Sequence, residues 1–287
     1  MVISWTLARS TVRYVLLLVV SLWTVAPVVW MASLSLKPPT EWYSANIIPH
    51  KPTLDNYINL FFSSVPIGGT YFMTSIAEAI TKPFINSLII ASLSTVFAVL
   101  TGFMAAYGVS RYRAGGTFTI FFTLLTRMLP GATFVAPLMV YYATLGLMDT
   151  YQGLILLYMS VTLTYAIWIL KGFIDEIPPE WEDAALLEGA SPWTVVSQVT
   201  IPLIKGGIVA SALFIFIMNW TEFLFALVIS VTRVVTLPVQ ISLYASAVGR
   251  MYGSQAALGL VATIPMVVIG YVIQRYLVTG FTFGRVR

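Results

Sequence analysis

The sequence has 287 residues and a formal net charge of +4 at pH 7, with 59% hydrophobic and only 9% charged residues. Soluble domains carry roughly a quarter charged residues, so this composition excludes a water-soluble fold. The net charge is too small to indicate a nucleic-acid-binding protein. Cysteine is absent and His50 is the one histidine, which excludes disulfides, a cysteine nucleophile and a histidine-rich zinc site.

Six runs of the chain are apolar enough and long enough to cross a bilayer. A helical span needs about 20 residues to cover about 30 Å of hydrocarbon. The predicted spans cover residues 14–36, 83–110, 116–145, 151–171, 206–230 and 254–276. Arg127 interrupts the third run and Glu222 interrupts the fifth. The sequence therefore predicts an all-α membrane protein with a single domain over residues 1–287, in which the short run 234–249 is a loop or interfacial helix.

The distribution of Lys and Arg predicts the direction of the spans, because basic loops stay on the cytoplasmic side. Placing the N-terminus inside puts nine basic residues in the cytoplasm and five outside. The inner set is Arg9, Arg13, Arg111, Arg113, Lys171, Lys205, Arg275, Arg285 and Arg287, and the outer set is Lys37, Lys51, Lys82, Arg233 and Arg250. We therefore expect both termini in the cytoplasm, the 37–82 segment outside and the 173–205 loop inside.

The 173–205 loop is expected to contain two short helices. Pro178-Pro179 suits a helix start, the acidic residues that follow favour the first turn, and Gly189 is placed for a left-handed C-terminal residue. A second helix is expected to begin at Ser191-Pro192, and Ile201-Pro202 is expected to close the unit before the fifth span. Two helices joined at Gly189 would form a rigid projection that can receive force from a soluble partner.

The same loop resembles the coupling loop of bacterial and archaeal ABC-importer permeases. Asp183-Ala184-Ala185 is followed after three residues by Gly189, and after nine more by Val199-Thr200-Ile201-Pro202. The family pattern is Glu-Ala-Ala, three residues, Gly, nine residues and Ile-x-Leu-Pro. The spacing is kept throughout, whereas Asp183 replaces the family glutamate and Ile201 replaces the leucine.

Further segments resemble the carbohydrate-uptake branch of this family, in particular its maltose-type permeases. In order they are Ser35-Leu36-Lys37, Asp55-Asn56-Tyr57, Asn86-Ser87-Leu88, Gly146-Leu147-Met148-Asp149-Thr150, Trp220-Thr221-Glu222-Phe223-Leu224 and Gly280-Phe281-Thr282-Phe283-Gly284-Arg285-Val286-Arg287. The family usually has Asn where this chain has Thr221. The resemblance covers nearly the whole chain and implies the type I importer fold, in a multi-pass subunit of the prokaryotic cell membrane that forms half of a translocation pore for a sugar or sugar-like solute.

The resemblance also implies the partners. These are a second permease that completes a heterodimer, an extracytoplasmic solute-binding protein, membrane lipid, and two ATPase subunits that bind ATP and Mg; no nucleic acid is implied. The chain contains no Gly-x-x-x-x-Gly-Lys-Ser/Thr segment, so it is expected to bind no cofactor itself and to be a non-catalytic subunit.

The residues expected to couple to the ATPase lie in the 173–205 loop and the C-terminal tail. They are Glu182, Asp183, Ala184, Ala185, Glu188, Gly189, Ala190, Pro202, Arg285 and Arg287. Glu182 and Asp183 are expected to pair with arginine on the ATPase. Two interpretations of the basic tail stay open, a second ATPase contact and an ordinary positive-inside signal.

Arg127 and Glu222 are costly at membrane depth, about 2.5–3.5 kcal/mol for a central Arg, so each should face protein or water. One interpretation places them, with Asn219 and Thr221, along a translocation path. The other interpretation is structural: the two residues form an ion pair between the third and fifth spans, or Arg127 snorkels outward beside a chain break at Pro130-Gly131. Alternative cargoes are glycerol phosphate, a polyamine or another small solute, and the alternative class is a stand-alone secondary transporter.

Overall fold

The computed structural model describes residues 2–62, 76–230, 232–246 and 249–283, and this part of the chain is mostly helical. The helices are α1 (Val2–Ser35), α2 (Asp55–Phe62), α3 (Ile76–Tyr112), α4 (Gly116–Met128), α5 (Val135–Thr144), α6 (Tyr151–Asp175), α7 (Pro179–Leu187), α8 (Pro192–Val195), α9 (Ile201–Leu203), α10 (Lys205–Trp220), α11 (Leu224–Ile229), α12 (Leu237–Leu243) and α13 (Tyr252–Phe283). Shorter elements are the 3₁₀ turns Pro39–Glu41 and Gly131–Phe134, a π-helical turn at Val196–Thr200 and a two-residue antiparallel hairpin of β1 (Ala245–Ser246) and β2 (Gly249–Arg250).

Four of the described helices are long and apolar enough to cross a membrane. The qualifying stretches are Thr11–Ser35, Ile80–Tyr112, Tyr151–Asp175 and Tyr252–Val272. They coincide with the first, second, fourth and sixth predicted spans. The number rises to six if each of two bent helix pairs forms one span. The short run after residue 234, expected to be a loop or interfacial helix, contains α12 and the hairpin.

The third predicted span is not one continuous helix. Helix α4 ends at Met128, the chain makes a 3₁₀ turn at Gly131–Phe134, and the two helical parts are bent by 87°. Leu129 adopts an extended conformation, with φ −82° and ψ 128°, because the residue before a proline is pushed out of the helical region. The break at Pro130-Gly131 is therefore confirmed, and the third predicted span consists of two helical parts.

The fifth predicted span is also interrupted. Helix α10 ends at Trp220, and α11 begins again only at Leu224. The second bent pair consists of Pro192–Leu203 and Lys205–Trp220, with a bend of 73° between them. The helical segment before this span is therefore longer than the sequence predicts. The fifth predicted span, 206–230, therefore contains two helices, α10 and α11, separated at Thr221–Phe223.

Residues 1–81 and 240–263 form one compact unit, in which two of the motifs quoted above meet. Asn56 Nδ2 donates to the carbonyl oxygens of Ser35 at 2.9 Å and Lys37 at 2.8 Å, and Tyr57 Oη donates to Ser35 Oγ at 2.8 Å. The buried ammonium of Lys37 donates to the Ser44 carbonyl at 2.9 Å. The bond to the Ser35 carbonyl satisfies a group that the end of α1 leaves free, and the other bonds fix the turn that follows the helix.

Residues 82–239 and 264–287 form the second unit, whose core lies between α3, α6 and α10. Gly102 of α3 approaches α6 so closely that an added Cβ would collide with Ala166. Small residues at such crossings let apolar helices pack tightly in a membrane. Ile174, Ile177 and Ile204 extend this core to the 173–205 loop. The loop is therefore anchored on the ends of the long helices.

Candidate functional site

The 173–205 loop contains the two expected short helices. Helix α7 begins at Pro179, with Glu180 and Glu182 in its first turn, and Gly189 follows it with φ +91°. Ser191 caps α8 by accepting a hydrogen bond from the Thr194 N–H at 3.2 Å. The two-helix prediction and the left-handed conformation of Gly189 are confirmed.

The loop closes before the fifth span as expected, but at Ile204, two residues beyond the predicted Ile201-Pro202. Helical backbone continues from α8 through the π-helical turn to Leu203, and the chain turns only at Ile204. Pro202 has no N–H to donate and its ring crowds the preceding turn, and an insertion of the π type relieves such a conflict inside a helix.

Glu182 does not face away from the protein. It is the buried residue of α7, and its Oε2 lies 2.9 Å from Nε of Arg111 in the last turn of α3. The other oxygen, Oε1, accepts a hydrogen bond from Thr200 at 2.8 Å. This carboxylate is already paired and desolvated within its own chain, and the expected pairing of Glu182 with an arginine of the ATPase stays a prediction.

The outer surface of the two short helices combines acidic and large apolar side chains. Asp183 and Glu188 are exposed, Leu187 is 90% exposed and Trp193 is 75% exposed. Ala184 is exposed and Ala185, Ala190 are half-buried, while Pro202 is exposed. Large apolar side chains grouped with charges on an exposed projection are typical of a protein-binding surface. Arg285 and Arg287 lie outside the described residues.

The two chain breaks lie next to each other. A Cβ added to Gly131 would lie 3.3 Å from the Phe225 ring, which places the break after α4 against α11. Oε1 of Glu222 accepts a hydrogen bond from the Phe225 N–H at 2.7 Å, and Tyr158 Oη donates to the Glu222 carbonyl at 3.3 Å. Non-helical backbone at membrane depth occurs where it is buried in protein or lines a water-filled cavity.

Arg127 and Glu222 do not form an ion pair. The described residues contain two ion pairs, Arg111–Glu182 and Lys171–Asp175. The guanidinium of Arg127 lies 4.5 Å from the centre of the Tyr165 ring, and its Nε has no hydrogen-bond partner. The structural ion-pair interpretation is therefore wrong for this conformation.

The two other path candidates differ in exposure. Asn219 is only 4% exposed, and its Nδ2 lies 3.3 Å from Thr95 Oγ1. Thr221 is exposed at the second chain break and donates from Oγ1 to the Ile217 carbonyl at 2.8 Å. Asn219 thus has a partner inside the protein, whereas Thr221 lies where helical structure stops.

Asp149 organises a turn at the other end of α6. Its carboxylate accepts hydrogen bonds from the N–H groups of Thr232, Arg233 and Val234 at 2.8–3.1 Å, and from the Thr232 hydroxyl at 2.9 Å. Burial alone would raise the pKa of Asp149, but these bonds to the charged form outweigh burial and lower it. The turn is therefore held by an ionised carboxylate.

Comparison with known proteins gives the family. Residues 98–282 match the family described as binding-protein-dependent transport system inner membrane component. The chain belongs to this family. It is accordingly an inner-membrane permease, and the predicted all-α permease fold is confirmed. The stand-alone secondary transporter is wrong as a class, because this family works within binding-protein-dependent systems.

Named relatives cover nearly the full length of the permease. It is 37% identical to the trehalose transport system permease protein SugB of Mycobacterium tuberculosis, over 97% of this chain and 98% of that protein. It is 31% identical to the trehalose/maltose transport system permease protein MalG of Thermococcus litoralis, over 91% of each. A solved bacterial ABC transporter involved in alginate import matches with a TM-score of 0.74 at 18% identity, covering 93% of this chain and 95% of that chain, which supports the fold.

Two residues of the permease that organise these sites were missed by sequence reasoning. The sequence indicates Arg111 only as a positive-inside charge, although a basic residue at the end of a span that faces an acidic loop is a signal for an ion pair. The sequence indicates Asp149 only as part of a motif. Its left-handed backbone, with φ +55°, is a conformation that Asp tolerates better than most residues.

Proposed function

We propose that this permease forms half of the translocation pore of an ATP-driven importer for a sugar or sugar-like solute. A second permease completes the pore, an extracytoplasmic binding protein delivers the solute, and two separate ATPase subunits bind ATP and Mg and hydrolyse ATP. The names of the relatives, which include trehalose and trehalose/maltose systems, favour a sugar over glycerol phosphate or a polyamine. On this proposal the chain itself binds no cofactor.

The exposed projection of α7 and α8 is the observation that carries the coupling role. Asp183 and Glu188 offer carboxylates, and Leu187 and Trp193 offer apolar surface, at the point where the chain leaves the long helices. A docked ATPase would bury these apolar side chains and neutralise the acids. ATP-driven closure would then move the projection and, through the 73° bend at Ile204, helix α10.

The pore is proposed to run past the two chain breaks. Discontinuous helices mark substrate sites in many transporters because they expose backbone groups at membrane depth. Thr221 and Glu222 lie on one break, and Arg127 lies one turn before the other. Asn219 is proposed to position the end of α10 through its hydrogen bond to Thr95.

Reversing the charge of Asp183 tests the coupling role. We expect Asp183→Lys to reduce copurification of the ATPase and uptake by about tenfold or more, because a like charge placed against a basic partner is strongly unfavourable. Glu176→Lys, an equally exposed change outside the two short helices, is the control and should leave both near the parent values. Undiminished copurification and uptake in Asp183→Lys would contradict the assignment.

Single cysteines test the proposed topology. The chain has no cysteine, and both Asn46 and Ser191 are exposed. We expect a membrane-impermeant maleimide to label Asn46→Cys from outside intact cells and Ser191→Cys only after the membrane is opened, since the 37–82 segment is proposed to be outside and the 173–205 loop inside. Labelling of both cysteines from the same face would rule out the six-span arrangement with both termini in the cytoplasm.

A further inference from the structure

A buried ion pair joins the short helix α7 to the end of α3. Arg111 Nε lies 2.9 Å from Glu182 Oε2, and the two side chains are 10% and 7% exposed. Nη2 of the same guanidinium donates to the carbonyl oxygens of Ile174 at 3.0 Å and Ile177 at 3.1 Å. Arg111 thus holds α7, the last turn of α6 and the linker between them.

Glu182 extends this connection in two further directions. Its Oε1 accepts a hydrogen bond from Thr200 in the π-helical turn at 2.8 Å, and its Oε2 accepts one from Tyr107 of α3 at 3.2 Å. All nine residues of α7 are described, and Glu182 alone among them is buried. Helix α7 is therefore attached to the long helices through a polar side chain and not through a buried apolar face.

A polar attachment of this kind is suited to fixing a register. A buried ion pair gains little net stability because both charges lose their water, but a fully hydrogen-bonded one favours a single arrangement. Here both oxygens of Glu182 are bonded, and Arg111 makes three bonds to three different segments.

We propose that Arg111 is a positioning residue that makes α7 and α3 move as one body. Force received by α7 from the ATPase would pass through Glu182 and Arg111 directly into the membrane-length helix α3, in addition to the covalent route into α10. This proposal rests on the coupling function proposed above. It identifies α3 as a second helix, besides α10, that moves when the ATPase binds ATP.

Spin labels on α7 and α3 test whether they move together. Cysteines at Glu180 and Tyr112, both exposed and neither part of the surface proposed to bind the ATPase, place labels on the two helices of this cysteine-free chain. The distance between them is measured in the assembled importer with its copurified ATPase, without nucleotide and with ATP and vanadate. In the parent we expect one narrow distance that is the same in both states. A parent distance that changes on ATP binding would overturn the proposal.

The decisive variant is Arg111→Met combined with Glu182→Met, which removes both charges, so that neither is left buried without its partner. We expect it to accumulate and to bind the ATPase, but to show a second α7–α3 distance that is populated on ATP binding. Retention of the parent's single distance would overturn the proposal. Lys171→Met is the matched control, because its ion pair with Asp175 lies within α6, and it should behave as the parent does.

Arg111→Lys is the second variant, and it tests the same proposal if the double variant does not accumulate. Its single ammonium keeps the charge beside Glu182 but cannot reproduce the planar fork that reaches Ile174 and Ile177 as well. We expect a folded permease with an intermediate spread of the α7–α3 distance, and a parent-like distance would overturn the proposal. Failure of any ATPase to copurify with the parent would instead refute the proposed function itself.

Discussion

Replacing Gly189 by valine is expected to abolish uptake and solute-stimulated ATP hydrolysis while leaving membrane insertion intact. Gly189 has φ +91°, and its N–H donates to the Leu186 carbonyl while the Ala190 N–H donates to the Ala185 carbonyl, both at 3.0 Å. This pair of bonds is the Schellman arrangement, which requires a left-handed residue at this position. In that conformation a residue with a Cβ is less stable than glycine by about 1–2 kcal/mol, and a β-branched residue is less stable still.

The expected order of a substitution series separates backbone strain from steric clash. A Cβ added at Gly189 would meet no atom within 4 Å, so the loss should follow the backbone preference of each residue. We expect Asn to be nearly tolerated, Ala to be intermediate and Val to be lowest in uptake. Gly172→Val is the control, since Gly172 lies inside α6 with equal free space and ordinary helical backbone. Equal uptake by the Asn and Val variants would contradict this account.

The short helices of the 173–205 loop are predictable from sequence because their signals are local. Proline at the start, acids in the first turn and glycine at the end each act through the backbone of the same few residues. The role of Glu182 was not predictable in this way. Its partner Arg111 lies 71 positions away in the chain, and the sequence pattern does not distinguish the buried Glu182 from the exposed Asp183 beside it.

The two chain breaks likewise differ in whether local sequence signals predict them. The break after α4 contains Pro130 and Gly131, and proline disfavours helix at the residue before it, so sequence alone locates it. The break at Thr221–Phe223 contains neither proline nor glycine. It is held by hydrogen bonds from the Phe225 N–H to the Glu222 carboxylate and from the Tyr158 hydroxyl to the Glu222 carbonyl, and the second of these depends on the packing of α6.

Arg127→Met and Glu222→Gln are expected to act independently on stability and expression. The guanidinium of Arg127 stacks on Tyr165, whereas the Glu222 carboxylate accepts the Phe225 N–H, so neither charge neutralises the other. Changes at sites that share no partner add to within about 0.5 kcal/mol. A double-mutant cycle on the thermal stability of the purified permease should therefore show no coupling, and a strongly non-additive double variant would restore the ion-pair interpretation.

A second cycle, between Arg127 and Tyr165, gives the measurement its positive control. A desolvated cation over an aromatic face contributes about 1–2 kcal/mol, so Arg127→Met and Tyr165→Leu should be clearly non-additive.

Glu222→Gln keeps an oxygen that can accept the Phe225 N–H, and the short helix α11 should therefore remain in place. If the pore runs past this break, Glu222→Gln should lower uptake at unchanged expression, because only the charge beside the path is lost. Uptake equal to the parent's would place Glu222 in the cap of α11 alone and move the path away from it.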